Sequence, residues 1–309
     1  MIQLAGRTHV VSLPSRWVKK YGVKKGDELE LTEYQERLTI STCSALAAKR
    51  AQIDISDLNS SLIWRYLNSA YTQGIDEIEL HFTNQTTINP RTGKTSKTLA
   101  EISKITDGMI GIEMIRHGKN SCTLKEISKA KQDEFENVLR RVFLILSLEA
   151  KDLLNSIKTK DRTIADSMKY SEANINKLCN YCLRFLNRKI YKNHVQTIAH
   201  NRVITLLEEI GDLYFQMAEE FARNPKIKIK LIEKTNNLLS LFYKAFYDLT
   251  KENIIKAHDL KNQIKNDTKK AEQPDKISNL AIRVSDKIMD AMDARISIDI
   301  QCADIIGIK

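Results

Sequence analysis

Thr8-His9-Val10-Val11-Ser12-Leu13-Pro14-Ser15-Arg16-Trp17-Val18-Lys19-Lys20-Tyr21-Gly22-Val23-Lys24-Lys25-Gly26-Asp27-Glu28-Leu29-Glu30-Leu31 fits a strand, a short helix and a second strand into one short run. Thr8 to Leu13 is apolar enough for a strand. Pro14 suits the first helical turn, where its missing N–H costs nothing. The helix is expected to turn Trp17 and Val18 inward and to show Arg16, Lys19 and Lys20 to water. Gly22 ends it as a C-terminal glycine does. Lys25-Gly26-Asp27 reads as a turn. Glu28-Leu29-Glu30-Leu31 alternates polar and apolar residues, the pattern of a half-buried strand.

The chain around this run has 309 residues, enough for two or three domains, and 42% hydrophobic residues, enough for real cores. No apolar run has the length of a bilayer span and no signal-peptide pattern opens the chain, so membrane insertion is not expected and the location expected is cytoplasmic. The net charge of +10 favours an anionic partner such as nucleic acid. Five scattered cysteines (Cys43, Cys122, Cys179, Cys182 and Cys302) suit a reducing compartment. Cys179-x-x-Cys182 lies inside a helical apolar pattern, with no second pair at metal-binding spacing, so both sulfurs are expected to pack as small hydrophobes.

On Val11-Ser12-Leu13-Pro14, Trp17 and the run Gly22 to Leu31, residues 1–43 resemble the AbrB/SpoVT/MazE swapped-hairpin DNA-binding domain. The resemblance implies a homodimer that binds DNA. The size of the segment agrees, because some forty residues bury too little surface to be stable alone. Arg7, Arg16, Lys19 and Lys20 are the expected DNA contacts, with His9 and Ser15 as weaker ones.

Residues 44–52 read as a charged, alanine-rich connector, and 53–127 as a small α/β domain. In that domain Leu62 to Tyr71 has helical spacing, Ile75 to Phe82 reads as a strand, and Thr83 to Lys97 as a polar loop. A short helix at Leu99 to Ile105 and strands at Met109 to Ile115 and Ser121 to Leu124 follow. The loop's Arg91-Thr92-Gly93-Lys94-Thr95 imitates the end of a phosphate-binding P-loop. That motif requires glycine at position 88, which is Ile88, so a nucleotide site is not expected.

From about Ser128 the apolar residues fall at three- and four-residue spacing in six helical blocks, the pattern of an up-down bundle. Three blocks, a break at Asn224-Pro225 and three more, the last set off by Gln273-Pro274, suggest two three-helix repeats, about 130–223 and 226–309. In the third block Glu208 and Asp212 are four apart on one helix face, with Gly211 permitting either a close helix approach or room for a ligand. Leu207-Glu208-Glu209-Ile210-Gly211-Asp212 resembles the E/D-x-x-x-D signature of PhoU, the phosphate-uptake regulator, a family built of two three-helix repeats whose signature carboxylates bind metal. The resemblance implies that Glu208 and Asp212 ligate a divalent metal (Mg, Mn, Fe or Zn). In the second repeat Ile282 replaces the first carboxylate, leaving Asp286 and Asp290.

No dinucleotide fingerprint, nucleophile elbow or zincin motif occurs, and no histidine has the Glu three residues earlier that a di-iron bundle uses. The chain is therefore expected not to be an enzyme. The fold expected is multi-domain α+β: a swapped-hairpin β domain, a small α/β domain and an all-α bundle. Such fusions resemble archaeal phosphate-uptake regulators. The function expected is dimeric transcriptional regulation linked to phosphate uptake, with phosphate transporter or sensor components as further partners. The alternative is a non-DNA adaptor dimerised by its first domain; an antitoxin-like role is a third.

Overall fold

The computed structural model describes residues 2–4, 8–34, 37–42, 48–128, 132–188, 191, 193–224, 228–269 and 275–299. The chain divides into two compact units, Met1–Lys49 and Arg50–Lys309.

The first unit contains two antiparallel pairs and one helix. β1 (Ile2–Leu4) pairs with β2 (Thr8–Val10), and β3 (Leu29–Tyr34) pairs with β4 (Arg37–Thr42). Between them lies α1 (Ser15–Tyr21). Pro14 is the residue before the helix rather than inside its first turn, with ψ at 127°, and Gly22 closes the helix in the left-handed region at φ 63°. The turn at Lys24 to Asp27 is tied by the Lys24 N–H to the Asp27 carboxylate at 2.7 Å. Trp17 and Val18 are only half-buried, and none of the helix's residues is buried in a single copy. Val11, Tyr21, Leu31 and Leu38 are 57%, 46%, 60% and 52% exposed.

The second unit opens with β5 (Arg50–Asp54), whose first three residues lie where a connector was expected. Its alternation of polar and half-buried residues, Ala51 and Ile53 inward, is a strand signal too short to stand out from the alanine-rich run before it. α2 (Ser60–Thr72), β6 (Glu77–His81), α3 (Thr98–Asp107), β9 (Ile112–His117) and β10 (Ser121–Glu126) follow the expected order. The sheet runs β5-β6-β10-β9, with β5 parallel to β6 and the other pairs antiparallel. α2 is capped by Asn59, whose side chain accepts the Leu62 N–H at 3.0 Å. Ile63, Leu67, Tyr71, Ile78, Leu80, Ile102 and Leu124 form its core.

The expected polar loop instead folds into a hairpin, β7 (Thr86–Ile88) with β8 (Thr95–Lys97). Its tip contains the P-loop look-alike. The Asn89 side chain accepts the Arg91 and Thr92 N–H groups, and the Asn89 carbonyl accepts the Gly93 N–H. The donors that would cradle a phosphate are thus used within the turn.

Six helices form the bundle among the described residues: α4 (Gln132–Thr159), α5 (Ile164–Arg188), α6 (His194–Arg223), α7 (Ile229–Tyr247), α8 (Lys251–Lys269) and α9 (Lys276–Asp299). Their narrow apolar stripes meet in one core running from Phe135 to Ala294. Cys179 and Cys182 pack in it as free thiols, and burial pushes both thiols up. At Gly211 a Cβ would come within 3.3 Å of Ile175 Cδ1 and 3.4 Å of Leu146 Cδ2. The glycine therefore serves close packing on α5 and α4 and leaves no room for a ligand.

Two arginines of α5 join the bundle to the sheet. Arg184 is 2% exposed. It donates to the Tyr71 carbonyl at 2.8 Å, the Ile75 carbonyl at 2.9 Å and Glu126 at 3.1 Å. Arg188 donates to Glu126 at 2.7 Å and to Asp76. A Cβ at Gly74 would strike Arg188 Cγ.

Candidate functional site

In the first unit, Ser15, Arg16, Lys19 and Lys20 are all exposed. Positions 16, 19 and 20 fall on one face of α1, three and four residues apart. Lys20 Nζ lies 5.2 Å from the Tyr21 ring centroid, and the Trp17 and Tyr21 rings are 5.3 Å apart. Charge is segregated along the segment. Residues 15–25 carry Arg16, Lys19, Lys20, Lys24 and Lys25 and no acid, while Asp27, Glu28, Glu30 and Glu33 follow. A basic helical segment followed by an acidic one is a charge pattern that suits an anionic partner. His9 sits on β2 opposite Gln3; its side chain and all of Arg7 lie outside the described residues. Residues 2–42 match the family described as antidote-toxin recognition MazE, bacterial antitoxin. No curated protein matches the chain. The MazE-like match thus covers most of the first unit and leaves the sheet and the bundle outside it.

A second candidate lies in the other unit. A cleft of about 580 Å3 opens between α2, α3 and the β7–β8 hairpin on one side and α5 and α6 on the other. Arg65, Arg91 and Lys104 line it from the α/β side, and Glu172, Lys177, Glu208 and Asp212 from the bundle. The structure therefore brings Glu208 and Asp212 to one wall, as their spacing implied, and adds Glu172 from α5. Burial, and then Asp212, pushes Glu208 up to about 7. Burial raises Glu172 and Asp212 as well, and a hydrogen bond between the two favours the proton on Glu172. Behind them Glu149 of α4 is 2% exposed, and neither of its carboxyl oxygens has a hydrogen-bond partner. Burial, and then Glu172 and Asp152, pushes it up to about 8.

Among the described residues no group of three or more His, Cys, Asp or Glu side chains closes into a geometry for a metal ion. The second repeat's acids stand apart. Asp286 is ion-paired with Lys261 at 2.9 Å, and neither it nor the half-buried Asp290 lines the cleft. Glu149 and Glu172 escaped the sequence reading. For Glu149 a signal existed: it continues the seam Val142, Leu146, Leu153 at three- and four-residue steps, a position that calls for an apolar residue.

Proposed function

We propose that this chain is a dimeric, DNA-binding regulator whose MazE-like module grips DNA and whose second unit senses a signal or docks a partner. The observation that carries the reading is the exposed basic face of α1 on a segment with no buried helix residue in a single copy. Arg16, Lys19 and Lys20 supply phosphate contacts, with Ser15 beside them and Arg7 and His9 as the remaining contacts from the β1–β2 segment. A second copy supplies the missing core. The chain acts as a binder and not as an enzyme. It works in the cytoplasm; among the described residues no helix is long and apolar enough to cross a membrane.

The link to phosphate uptake rests on the PhoU resemblance, which six long helices and the Glu208–Asp212 pair support. On that reading phosphate transporter or sensor components are the bundle's partners. The cleft is its sensing site, with Glu208 and Asp212 on its bundle wall neutralised by protons or by a divalent cation (Mg, Mn, Fe or Zn) that displaces them. A second reading, in which the module recognises a toxin, is favoured by the description of the matched family.

A gel shift of the full chain on its own upstream promoter tests the proposal. A discrete complex that weakens steeply with salt is the expected result. A dimer that leaves this DNA unshifted at low salt moves the weight to the adaptor or toxin-binding reading.

A further inference from the structure

β5 is an edge strand whose outer side no other strand covers among the described residues. The Ile55 N–H donates to the His81 carbonyl at 2.8 Å, in line with the β5–β6 ladder. Main-chain groups of alternate residues point to opposite sides of a strand. Ile53 and Ala51 therefore also turn their N–H and C=O groups to β6, while Arg50, Gln52 and Asp54 turn theirs outward. Proteins blunt such an edge with bulges, lysine or proline. The opposite edge, β9, is irregular, with a register shift against β10 between Thr123 and Leu124. β5 is regular and carries neither lysine nor proline.

Two further features single out an occupant. Beside the edge, an open groove of about 410 Å3 is lined by Ala51, Ile53, Tyr66, Ala70 and Ile75. Tyr66 is 51% exposed there. The strand itself reads Arg50-Ala51-Gln52-Ile53-Asp54, which is complementary to its own reverse. An antiparallel pair centred on Gln52 sets Gln52 opposite Gln52, Arg50 opposite Asp54, and Ala51 opposite Ile53. The outward main-chain groups of 50, 52 and 54 then all find partners. Opposite charges face each other at both ends on the polar face. Four small or branched apolar side chains join two grooves into one strip.

We propose that β5 of this chain pairs antiparallel with β5 of a second copy about a two-fold axis at Gln52, making one continuous eight-stranded sheet across the dimer. The inference rests on the dimer proposed above. Only seven residues, 43–49, separate β4 from β5, so a dimerised module holds the two strands at high effective concentration.

The test uses the full chain with a nitroxide label on Gln52→Cys, after Cys43→Ser and Cys302→Ser; the other three cysteines are buried. Facing Cα atoms in such a pair lie about 5.5 Å apart, so strong dipolar broadening of the spectrum is expected. Asp54→Lys places two like charges opposite and reduces the broadening. Arg50→Glu combined with Asp54→Lys restores the complementarity and the broadening, which a merely misfolded variant would not do. Sedimentation of the same samples separates the two layers of the argument. A dimer without broadening overturns the strand pairing and leaves the proposed dimer standing, whereas a monomer without broadening removes both. Broadening that ignores Asp54→Lys, or that the double substitution fails to restore, overturns the register.

Discussion

At Glu149 the stability of the bundle becomes dependent on pH. A carboxyl whose pKa rises from 4.5 to about 8 on folding favours the folded state below its unfolded pKa and loses that contribution as pH climbs to 8. Glu208, raised to about 7, acts in the same direction over the lower part of the window. Melting temperature should therefore fall between pH 5 and pH 9. Glu149→Gln, which cannot ionise, should match the parent at pH 5 and melt higher at pH 9 by roughly 5 °C. Parallel curves for the two proteins across the range would mean that Glu149 finds a counter-charge in solution. A divalent cation is the obvious one, and a midpoint at pH 9 that rises with added Mg, Mn, Fe or Zn, together with metal found by elemental mass spectrometry, would assign the cleft to metal instead of protons.

Arg184 is the other residue whose energetics are set by burial. Its guanidinium satisfies two carbonyls and a carboxylate that are themselves shielded from water. Removing one member of a buried charge network strands the others. Arg184→Met should cost about 3–5 kcal/mol in urea unfolding. A change under about 1 kcal/mol would show that water reaches Asp76 and Glu126 once the arginine is gone.

Among the elements, α1 carries the proposed DNA contacts and has no buried residue of its own. Seven residues make a marginal helix in water, so its geometry leans on the left-handed closure at Gly22 and, in the proposed dimer, on contacts with the second copy. Its basic face is expected to act through phosphates. In fluorescence anisotropy, Arg16→Ala and Lys20→Ala should each weaken DNA binding across sequences and lower the log–log salt slope by about one. Unchanged affinity and slope in both would remove α1 from the interface. α5 works differently: one face lines the cleft through Glu172 and Lys177, and its last turns hold the sheet through Arg184 and Arg188. In the proposed sensing role, a change of protonation in the cleft would act on the helix that fastens the sheet to the bundle.

For the whole molecule, the contrast between the two units decides what is expected in solution. The second has a continuous bundle core and a separate sheet core. In the first, Leu31 and Leu38 stand 60% and 52% exposed on a β-hairpin. Analytical ultracentrifugation of the full chain should show a dimer. Leu31→Glu should shift it toward monomer and weaken DNA binding with it, while the far-ultraviolet spectrum, dominated by the bundle, stays unchanged. A Leu31→Glu protein that remains a dimer would place the association elsewhere in the chain.

Periodicity and local signals determined most of this architecture. Six bundle helices, α2, α3, β6, β9 and β10, and the short helix closed by Gly22 are all written at spacings of two, three or four residues, which a chain carries in its own sequence. The buried packing of Cys179 and Cys182 followed from the same spacing. Tertiary structure alone decided what depends on neighbours distant in sequence. β5 was hidden because five residues with one half-buried face look like connector until β6 lies beside them. The β7–β8 hairpin was hidden because its register rests on an Asn89 turn inside a polar run. Glu149 and Glu172 joined Glu208 and Asp212 only because three helices converge, and Gly211 became a packing contact only when Ile175 and Leu146 arrived against it. Local patterns record which face of an element is apolar. Which charge meets which is set by helix packing and strand register, and these are properties of the assembled fold.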